Sequence, residues 1–204
     1  MRILRASMTL FSFLVVSSHL HAQVPPKSPK EVVKEFWKVE TDGSRLTPEG
    51  WYRASRFFIR PAQFPLNRVV HVIANGSTDK IEETARLANW AEVSVTSNEL
   101  GQVDSALRFT PSPQRGPHGV LFLRGPVITF ALVLTDKHWE LGNDGGRTGE
   151  LTDSTQWLID CSDNTQWISV DEAMRYVAEL RSKTSDPAAK KNAEQTLVKL
   201  KALH

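Results

Sequence analysis

The chain has 204 residues, of which 40% are apolar and 24% are charged, and its formal net charge at pH 7 is +2. This length suits one domain and is sufficient to bury a real core. A charge so close to zero argues against a dedicated nucleic-acid-binding protein, which normally carries a strong basic excess.

The first 22 residues predict a cleavable export signal. Arg2 and Arg5 form a positively charged start, an apolar run follows at Met8–Val16, and a small residue offers a cleavage point after Ser18 or Ala22. The alternative is a single membrane anchor, but the run is shorter than the roughly 20 apolar residues that span a bilayer. We therefore expect an exported protein, periplasmic or secreted, with no transmembrane segment after cleavage and no nucleic-acid partner.

Cys161 is the only cysteine of the chain, so an internal disulfide is impossible and packing must supply the stability. The residue is either a small buried apolar side chain or a site for an intermolecular disulfide. No neighbour in the sequence would lower the thiol pKa, which argues against a catalytic cysteine.

Two helices are predicted near the start of the mature chain. Ser28, Pro29 and Glu31 form a capping box with proline at the first helical position, and apolar residues at helical spacing follow. A second helix is predicted to begin at Thr47-Pro48-Glu49 and to end at Pro61.

The middle of the chain alternates short strand-like and helix-like segments. A strand is predicted at Arg68–Ile73 and a short helix at Asp79–Leu87. A hairpin is then predicted from Ala91–Thr96, through a turn, to Gln102–Thr110. Residues 111–119 predict a loop, because they hold three prolines and two glycines.

A further hairpin and two helices complete the prediction. Val127–Thr135 is nearly continuously apolar, which is typical of a central strand, and a turn at Asp136-Lys137 leads into a returning strand. A loop is predicted at Gly142–Gly149 and a last strand at Gln156–Asp160. The final helices begin at the caps Ser169 and Asp186, the second of them rich in basic residues.

The predicted fold class is α+β, with N-terminal helices packed on a curved antiparallel sheet and a C-terminal two-helix extension. The stretch Trp90–Leu141 carries a Val-x-Val strand, then Val103-Asp104, a strand ending at Leu134, and Trp139-Glu-Leu after a turn. This pattern resembles the nuclear-transport-factor-2-like (NTF2-like, or SnoaL-like) cone-fold superfamily over about residues 28–141.

The resemblance implies a domain of helices on a strongly bent sheet, so the predicted organisation is a signal at 1–22, an NTF2-like domain at 23–168 and the extension at 169–204. The superfamily includes isomerases, dehydratases, ligand-binding proteins and interaction modules, so the fold alone does not decide the function. Its enzymes typically place an Asp or a His inside the cone.

Two groups of residues are candidates for function. Asp104 and His138 lie at or near predicted strands, where an Asp–His pair in an apolar cavity can perform general acid–base catalysis. The alternative is a surface aspartate beside a turn and a histidine at a hairpin tip. Trp51, Trp90 and Trp139 are candidates to line an aromatic ligand pocket, or alternatively to pack in the core.

We expect neither a metal nor a cofactor, since the histidines that follow the signal show no metal-type spacing. The sequence favours an exported, non-catalytic protein that binds a small apolar ligand or an envelope partner through an aromatic-lined concave sheet face. One alternative is a cofactor-independent lyase or isomerase of a small apolar substrate, using the Asp104–His138 pair. Another is a structural envelope protein that docks through its C-terminal helices.

Overall fold

A computed structural model of the chain describes residues 25–60, 64–65, 68–75, 79–112, 127–141, 149–161 and 165–204. At residues 60, 138–141, 149–152 and 161 only the backbone is described. The predicted export signal lies outside these ranges, as do nearly all of the predicted loops at 111–119 and 142–149.

The first helix, α1 (Pro29–Thr41), begins as predicted. The Ser28 hydroxyl accepts the backbone N–H of Glu31 at 3.3 Å, and the Glu31 carboxylate accepts the backbone N–H of Ser28 at 2.8 Å. This reciprocal capping box satisfies two N–H groups that a helix start otherwise leaves unpaired. The buried face of α1 consists of Pro29, Val32, Val33, Phe36, Trp37 and Glu40.

The second helix is shorter than predicted. A 3-10 turn at Ser44–Leu46 precedes α2 (Pro48–Ala54), whose N-terminus is capped by Thr47 as expected. A second 3-10 turn at Ser55–Phe57 ends the helix, and the chain continues as an extended strand. The apolar, β-favouring residues that follow Phe57 pair with a sheet edge instead of extending the helix.

Nine strands form two mixed sheets within the described residues. The strands are β1 (Phe58–Arg60), β2 (Val70–Ile73), β3 (Lys80–Arg86), β4 (Trp90–Thr96), β5 (Glu99–Val103), β6 (Phe109–Pro111), β7 (Val127–Leu141), β8 (Gly149–Cys161) and β9 (Gln166–Ser169). The five-stranded sheet has the order β1-β8-β7-β4-β3, and the four-stranded sheet has the order β6-β5-β2-β9. The pairs β1–β8 and β2–β9 are parallel. The predicted α+β class is therefore confirmed, whereas the prediction of a single antiparallel sheet is wrong.

Two local predictions between residues 79 and 110 are wrong. The segment predicted as a helix at Asp79–Leu87 is the edge strand β3, which pairs antiparallel with β4. The predicted hairpin between residues 91–96 and 102–110 does not form, because β4 and β5 belong to different sheets. In both cases tertiary pairing overrides a local preference, since β4 completes its ladders with β3 and β7.

The strand β7 is central, as predicted, and lies between β4 and β8. The turn predicted at Asp136-Lys137 is wrong, since β7 continues through it with a register shift against β8. At that point the Thr135 hydroxyl accepts the Lys137 N–H at 3.2 Å and donates to the Lys137 carbonyl at 2.7 Å. A bulge with its own hydrogen bonds thus accommodates the polar residues inside a long hairpin.

The two C-terminal helices, α3 (Val170–Lys183) and α4 (Pro187–Lys201), begin at the predicted caps Ser169 and Asp186. They cover one face of the four-stranded sheet, where Ala193 and Leu200 are completely buried.

The opposite face of that sheet contributes Ile73 and Trp167 to the core beneath α1. The four-stranded sheet is therefore a middle layer, with the α3–α4 pair on one side and α1 with the five-stranded sheet on the other.

Candidate functional site

An open cleft of about 810 Å³ lies along one side of α1. Its walls are α1, the segment from α2 through the following 3-10 turn, and residues 154–158 of β8. We call it the α1 cleft. Its volume falls within the ~300–1,000 Å³ that is usual for small-molecule sites.

The floor of the α1 cleft is apolar and belongs to the protein core. Val32 of α1, Phe57 of the 3-10 turn and Trp157 of β8 line it, and their exposed fractions are 7%, 6% and 6%. Each residue is fixed by packing in the core beneath α1. Because three separate elements supply the floor, its shape is largely set before any ligand binds.

The rim of the α1 cleft is polar and positively charged. Arg53 and Arg56 are exposed and line it, together with Tyr52. The rim also includes Lys27, but this ammonium group is 2.6 Å from the carboxylate of Glu35. Within the described part of the chain, neither arginine has a carboxylate partner, so the rim has an excess of positive charge.

Gly50 fixes the position of the arginine-bearing wall. Its N–H donates to the Thr47 hydroxyl at 3.1 Å, and a Cβ at this position would lie 1.6 Å from the carbonyl oxygen of Ser44. Only glycine allows α2 to pack so closely against the preceding 3-10 turn. This contact determines where Tyr52 and Arg53 stand at the rim.

A smaller cavity of about 200 Å³ lies beneath another part of α1. Phe36, Phe58, Phe130 and Trp167 contribute to its wall, and we call it the aromatic cavity. The ring of Phe36 meets those of Phe58 and Phe130 edge to face, with centroids 5.0 Å and 5.6 Å apart. The volume of this cavity lies below the ~300–1,000 Å³ that is usual for small-molecule sites.

A buried ion pair borders the aromatic cavity. Arg45 Nη1 lies 2.7 Å from Glu40 Oε2, and the two side chains are only 4% and 1% exposed. Glu40 Oε1 also accepts the backbone N–H of Trp167 at 2.9 Å, and the carbonyl of Arg45 accepts a hydrogen bond from Gln166 Nε2 at 2.8 Å. The pair therefore connects α1 and the first 3-10 turn to β9, a strand of the four-stranded sheet.

The predicted pocket of Trp51, Trp90 and Trp139 stays a prediction, and the structure describes the side chains of the first two. Trp51 is 2% exposed, and its ring faces the guanidinium of Arg45 at 4.2 Å. Trp90 begins β4 on the face opposite the buried Ala91 and Val93. Neither Trp51 nor Trp90 lines the α1 cleft or the aromatic cavity. The backbone of Trp139 pairs with Leu151, and its side chain lies outside the described atoms.

Other aromatic residues line the two cavities. Trp157 lies in the α1 cleft, and Trp167 and Phe130 lie at the aromatic cavity. The apolar runs in β7 and β8 predict that Phe130 and Trp157 are buried. No local pattern in the sequence indicates that these two aromatic residues line a cavity.

Asp104 stabilises a turn at the end of β5. Its carboxylate accepts the N–H groups of Ala106 and Arg108 at 3.0 Å and 2.9 Å, and a hydrogen bond from Arg108 Nε at 2.9 Å. Burial raises the pKa of this carboxyl, but the hydrogen bonds from Arg108 and its positive charge outweigh burial and hold the pKa below its ordinary value.

His138 belongs to β7 in the five-stranded sheet, whereas Asp104 follows a strand of the four-stranded sheet. The backbone of His138 lies opposite Thr152, and its side chain is outside the described atoms. The catalytic pairing of these two residues therefore stays a prediction.

A carboxylate–imidazole pair that was not predicted lies on the middle sheet. His71 Nδ1 is 2.7 Å from Glu99 Oε1, and the imidazole stacks on the ring of Trp167 with centroids 4.1 Å apart. Both residues lie on the adjacent strands β2 and β5, a pairing that local sequence does not reveal. The side chain of His71 lines neither the α1 cleft nor the aromatic cavity.

Among the described residues, no three His, Cys, Asp or Glu side chains converge closely enough to hold a metal ion. Every helix in the described part of the chain is too short or too polar to cross a membrane. Comparison with models of protein families, with curated proteins and with solved structures gives no match to this chain. Fold and site together define an α+β protein with an open cleft that has an apolar floor and a cationic rim.

Proposed function

We propose that this protein is an exported, non-catalytic binding protein whose small-molecule ligand occupies the α1 cleft. The observation that carries the proposal is the apolar floor of a cleft of about 810 Å³, formed by Val32, Phe57 and Trp157. Burying the apolar body of a ligand there contributes about 25 cal/mol for each Å² removed from water. The aromatic cavity is too small to be the main site.

The proposal keeps the predicted class of function and changes its residues. Binding through an aromatic-lined concave sheet face was expected, with Trp51, Trp90 and Trp139 as the candidate pocket residues. The cleft residues Val39, Phe57 and Trp157 now take that role. An NTF2-like ancestry and export by the predicted signal remain part of the proposal, supported respectively by a helix lying on a sheet beside a cleft and by the composition of residues 1–22.

A catalytic role is less well supported than binding. The carboxylate of Asp104 already accepts hydrogen bonds from the turn that it stabilises, which reduces its basicity. The α1 cleft itself offers arginines, hydroxyl groups and a paired glutamate, a set suited to holding a ligand in place.

The test is fluorescence titration of the purified protein with N-phenylnaphthylamine, a neutral apolar probe. We expect saturable binding, and we expect the substitution Val39→Trp to weaken it, because the larger side chain takes up part of the cleft. Val39 is half-buried and lines the cleft.

The matched control is Val198→Trp, at a residue of α4 that is 69% exposed. This variant should bind the probe like the wild type. Circular dichroism checks that the Val39→Trp variant is folded. The proposal would be overturned if the wild type shows no saturable binding, or if the folded variant binds the probe as tightly as the wild type.

A further inference from the structure

The charge of the α1 cleft is unbalanced in a specific place. Arg53 and Arg56 are three residues apart, one at the end of α2 and one in the 3-10 turn that follows. Residues three apart on helical turns face the same side, so both guanidinium groups reach the same region of the rim. Among the described side chains that line the cleft, Glu35 is the acidic one, and its Oε1 lies 2.6 Å from Lys27 Nζ.

The part of the cleft wall that β8 supplies adds no negative charge. It consists of Ser154, Thr155 and Gln156 of β8, which are neutral hydrogen-bonding residues. The preceding residue, Asp153, lies 4.0 Å from the ammonium of Lys137. Among the described side chains that line the cleft, no unpaired carboxylate therefore balances the two arginines.

We infer that the ligand of the α1 cleft is an amphipathic organic anion, whose carboxylate, sulfonate or phosphate group is bound by Arg53 and Arg56 while its apolar body rests on Phe57 and Trp157. This inference rests on the proposed binding function of the same cleft. The sequence analysis expected a small apolar ligand or an envelope partner, and the inferred ligand differs from both in carrying an anionic group.

The chemistry of arginine fits this role. A guanidinium group presents a planar fork of N–H donors that matches the oxygens of an anionic group, and two such forks can share one anion. The guanidinium of Arg56 already lies 5.0 Å from the centroid of the Phe57 ring. This cation–π contact restricts the side chain beside the apolar floor and lowers the entropy cost of binding.

The alternative partner of a cationic rim is an acidic protein surface. The observations favour a small molecule, because the two arginines stand at the edge of a cleft whose floor is buried to more than nine-tenths. A ligand that fills the cleft reaches the floor and the arginines together.

The experiment compares two probes that share an aromatic body and differ in charge. Anilinonaphthalenesulfonate carries a sulfonate group, and N-phenylnaphthylamine lacks it. We expect the double variant Arg53→Gln/Arg56→Gln to weaken binding of the sulfonate at least about tenfold, as loss of charge-assisted hydrogen bonds predicts. Affinity for the neutral probe should stay within about twofold.

Two controls separate a local contact from general charge effects. Lys190→Gln/Lys191→Gln on α4 removes the same charge from exposed residues of the other layer and should leave both affinities unchanged. Arg53→Lys/Arg56→Lys keeps the charge but loses the fork, and it should give an intermediate affinity for the sulfonate.

The outcomes for the two proposals are distinct. Circular dichroism first shows whether the Arg53→Gln/Arg56→Gln protein is folded. If the folded variant binds the sulfonate probe as tightly as the wild type, and the neutral probe also binds, the anion inference is overturned and the binding function stands. An equal loss of sulfonate affinity in the Lys190→Gln/Lys191→Gln protein overturns the anion inference as well. Failure of the neutral probe to bind the wild type contradicts the binding function itself.

Discussion

Glu40 and Arg45 form the most deeply buried ion pair among the described residues, at 1% and 4% side-chain exposure. Taking two charges out of water is costly, and removing one partner takes away the attraction that offsets this cost. We expect Glu40→Gln to lower the free energy of unfolding by about 3–5 kcal/mol, measured by urea denaturation. The carbonyl oxygen of the glutamine can still accept the N–H of Trp167, so the cost comes from the lost negative charge beside Arg45.

The control for this pair is exposed and lies on α3. Lys183 and Glu179 form an ion pair with side chains 67% and 59% exposed, so Glu179→Gln should cost less than about 1 kcal/mol. Similar costs for Glu40→Gln and Glu179→Gln would show that the Glu40–Arg45 pair does not hold the layers together.

Glu172 predicts a pH dependence of stability. Burial raises the pKa of this carboxyl above its ordinary value of 4.5, and the positive charge of Arg175 only partly opposes the effect. A raised pKa in the folded state means that the folded protein holds the proton more tightly than the unfolded chain. The stabilisation from this proton is complete below the ordinary pKa and is lost as the pH rises through the raised pKa.

Glu172→Gln removes this titration and keeps a residue suited to the third position of the helix. We expect the free energy of unfolding of the variant, relative to that of the wild type, to increase as the pH is raised from about 4 to about 7. Urea denaturation midpoints measure this difference. Glu179→Gln on the same helix is the exposed control. A relative stability of Glu172→Gln that stays constant or falls over this range would contradict the assignment.

At the scale of elements, the packing of α2 against the first 3-10 turn is the most sensitive contact of the cleft. A Cβ on Gly50 would lie 1.6 Å from the Ser44 carbonyl oxygen, so Gly50→Ala must displace the backbone. We expect a loss of about 3 kcal/mol in unfolding free energy and weaker probe binding, because Tyr52 and Arg53 move with α2.

The neighbouring exposed residue provides the comparison for this substitution. Glu49→Ala changes a side chain on the surface of the same helix and should alter stability by less than about 0.5 kcal/mol. Equal stabilities for the Gly50→Ala and Glu49→Ala proteins would mean that the close approach of α2 is not required.

Helix starts were the most predictable elements, and strand partners were the least. Ser28, Thr47, Ser169 and Asp186 cap their helices as expected, because a cap depends on residues within one turn. Strand pairing depends on residues far apart in the chain. The segment Lys80–Arg86 becomes a strand because β4 offers it an edge, a fact that its own composition does not encode.

At the scale of the whole molecule, the four-stranded sheet separates two cores and presses α1 against the five-stranded sheet. The cleft exists because segments near residues 27–57 and 154–158 meet beside α1. The α+β class could be predicted from the order of elements along the chain. The identity of the cleft residues could not, since Arg53, Arg56 and Trp157 come together only through the parallel pairing of β1 with β8 and the packing of α2.

Hydrogen–deuterium exchange with and without anilinonaphthalenesulfonate tests directly whether a ligand binds in the α1 cleft. We predict slower exchange in α1, in α2 with its following 3-10 turn, and in residues 154–158 of β8. Exchange in α3 and α4, which cover the far face of the middle sheet, should be unchanged. Protection confined to α3 and α4, or spread evenly over the chain, would show that the ligand does not bind in the α1 cleft.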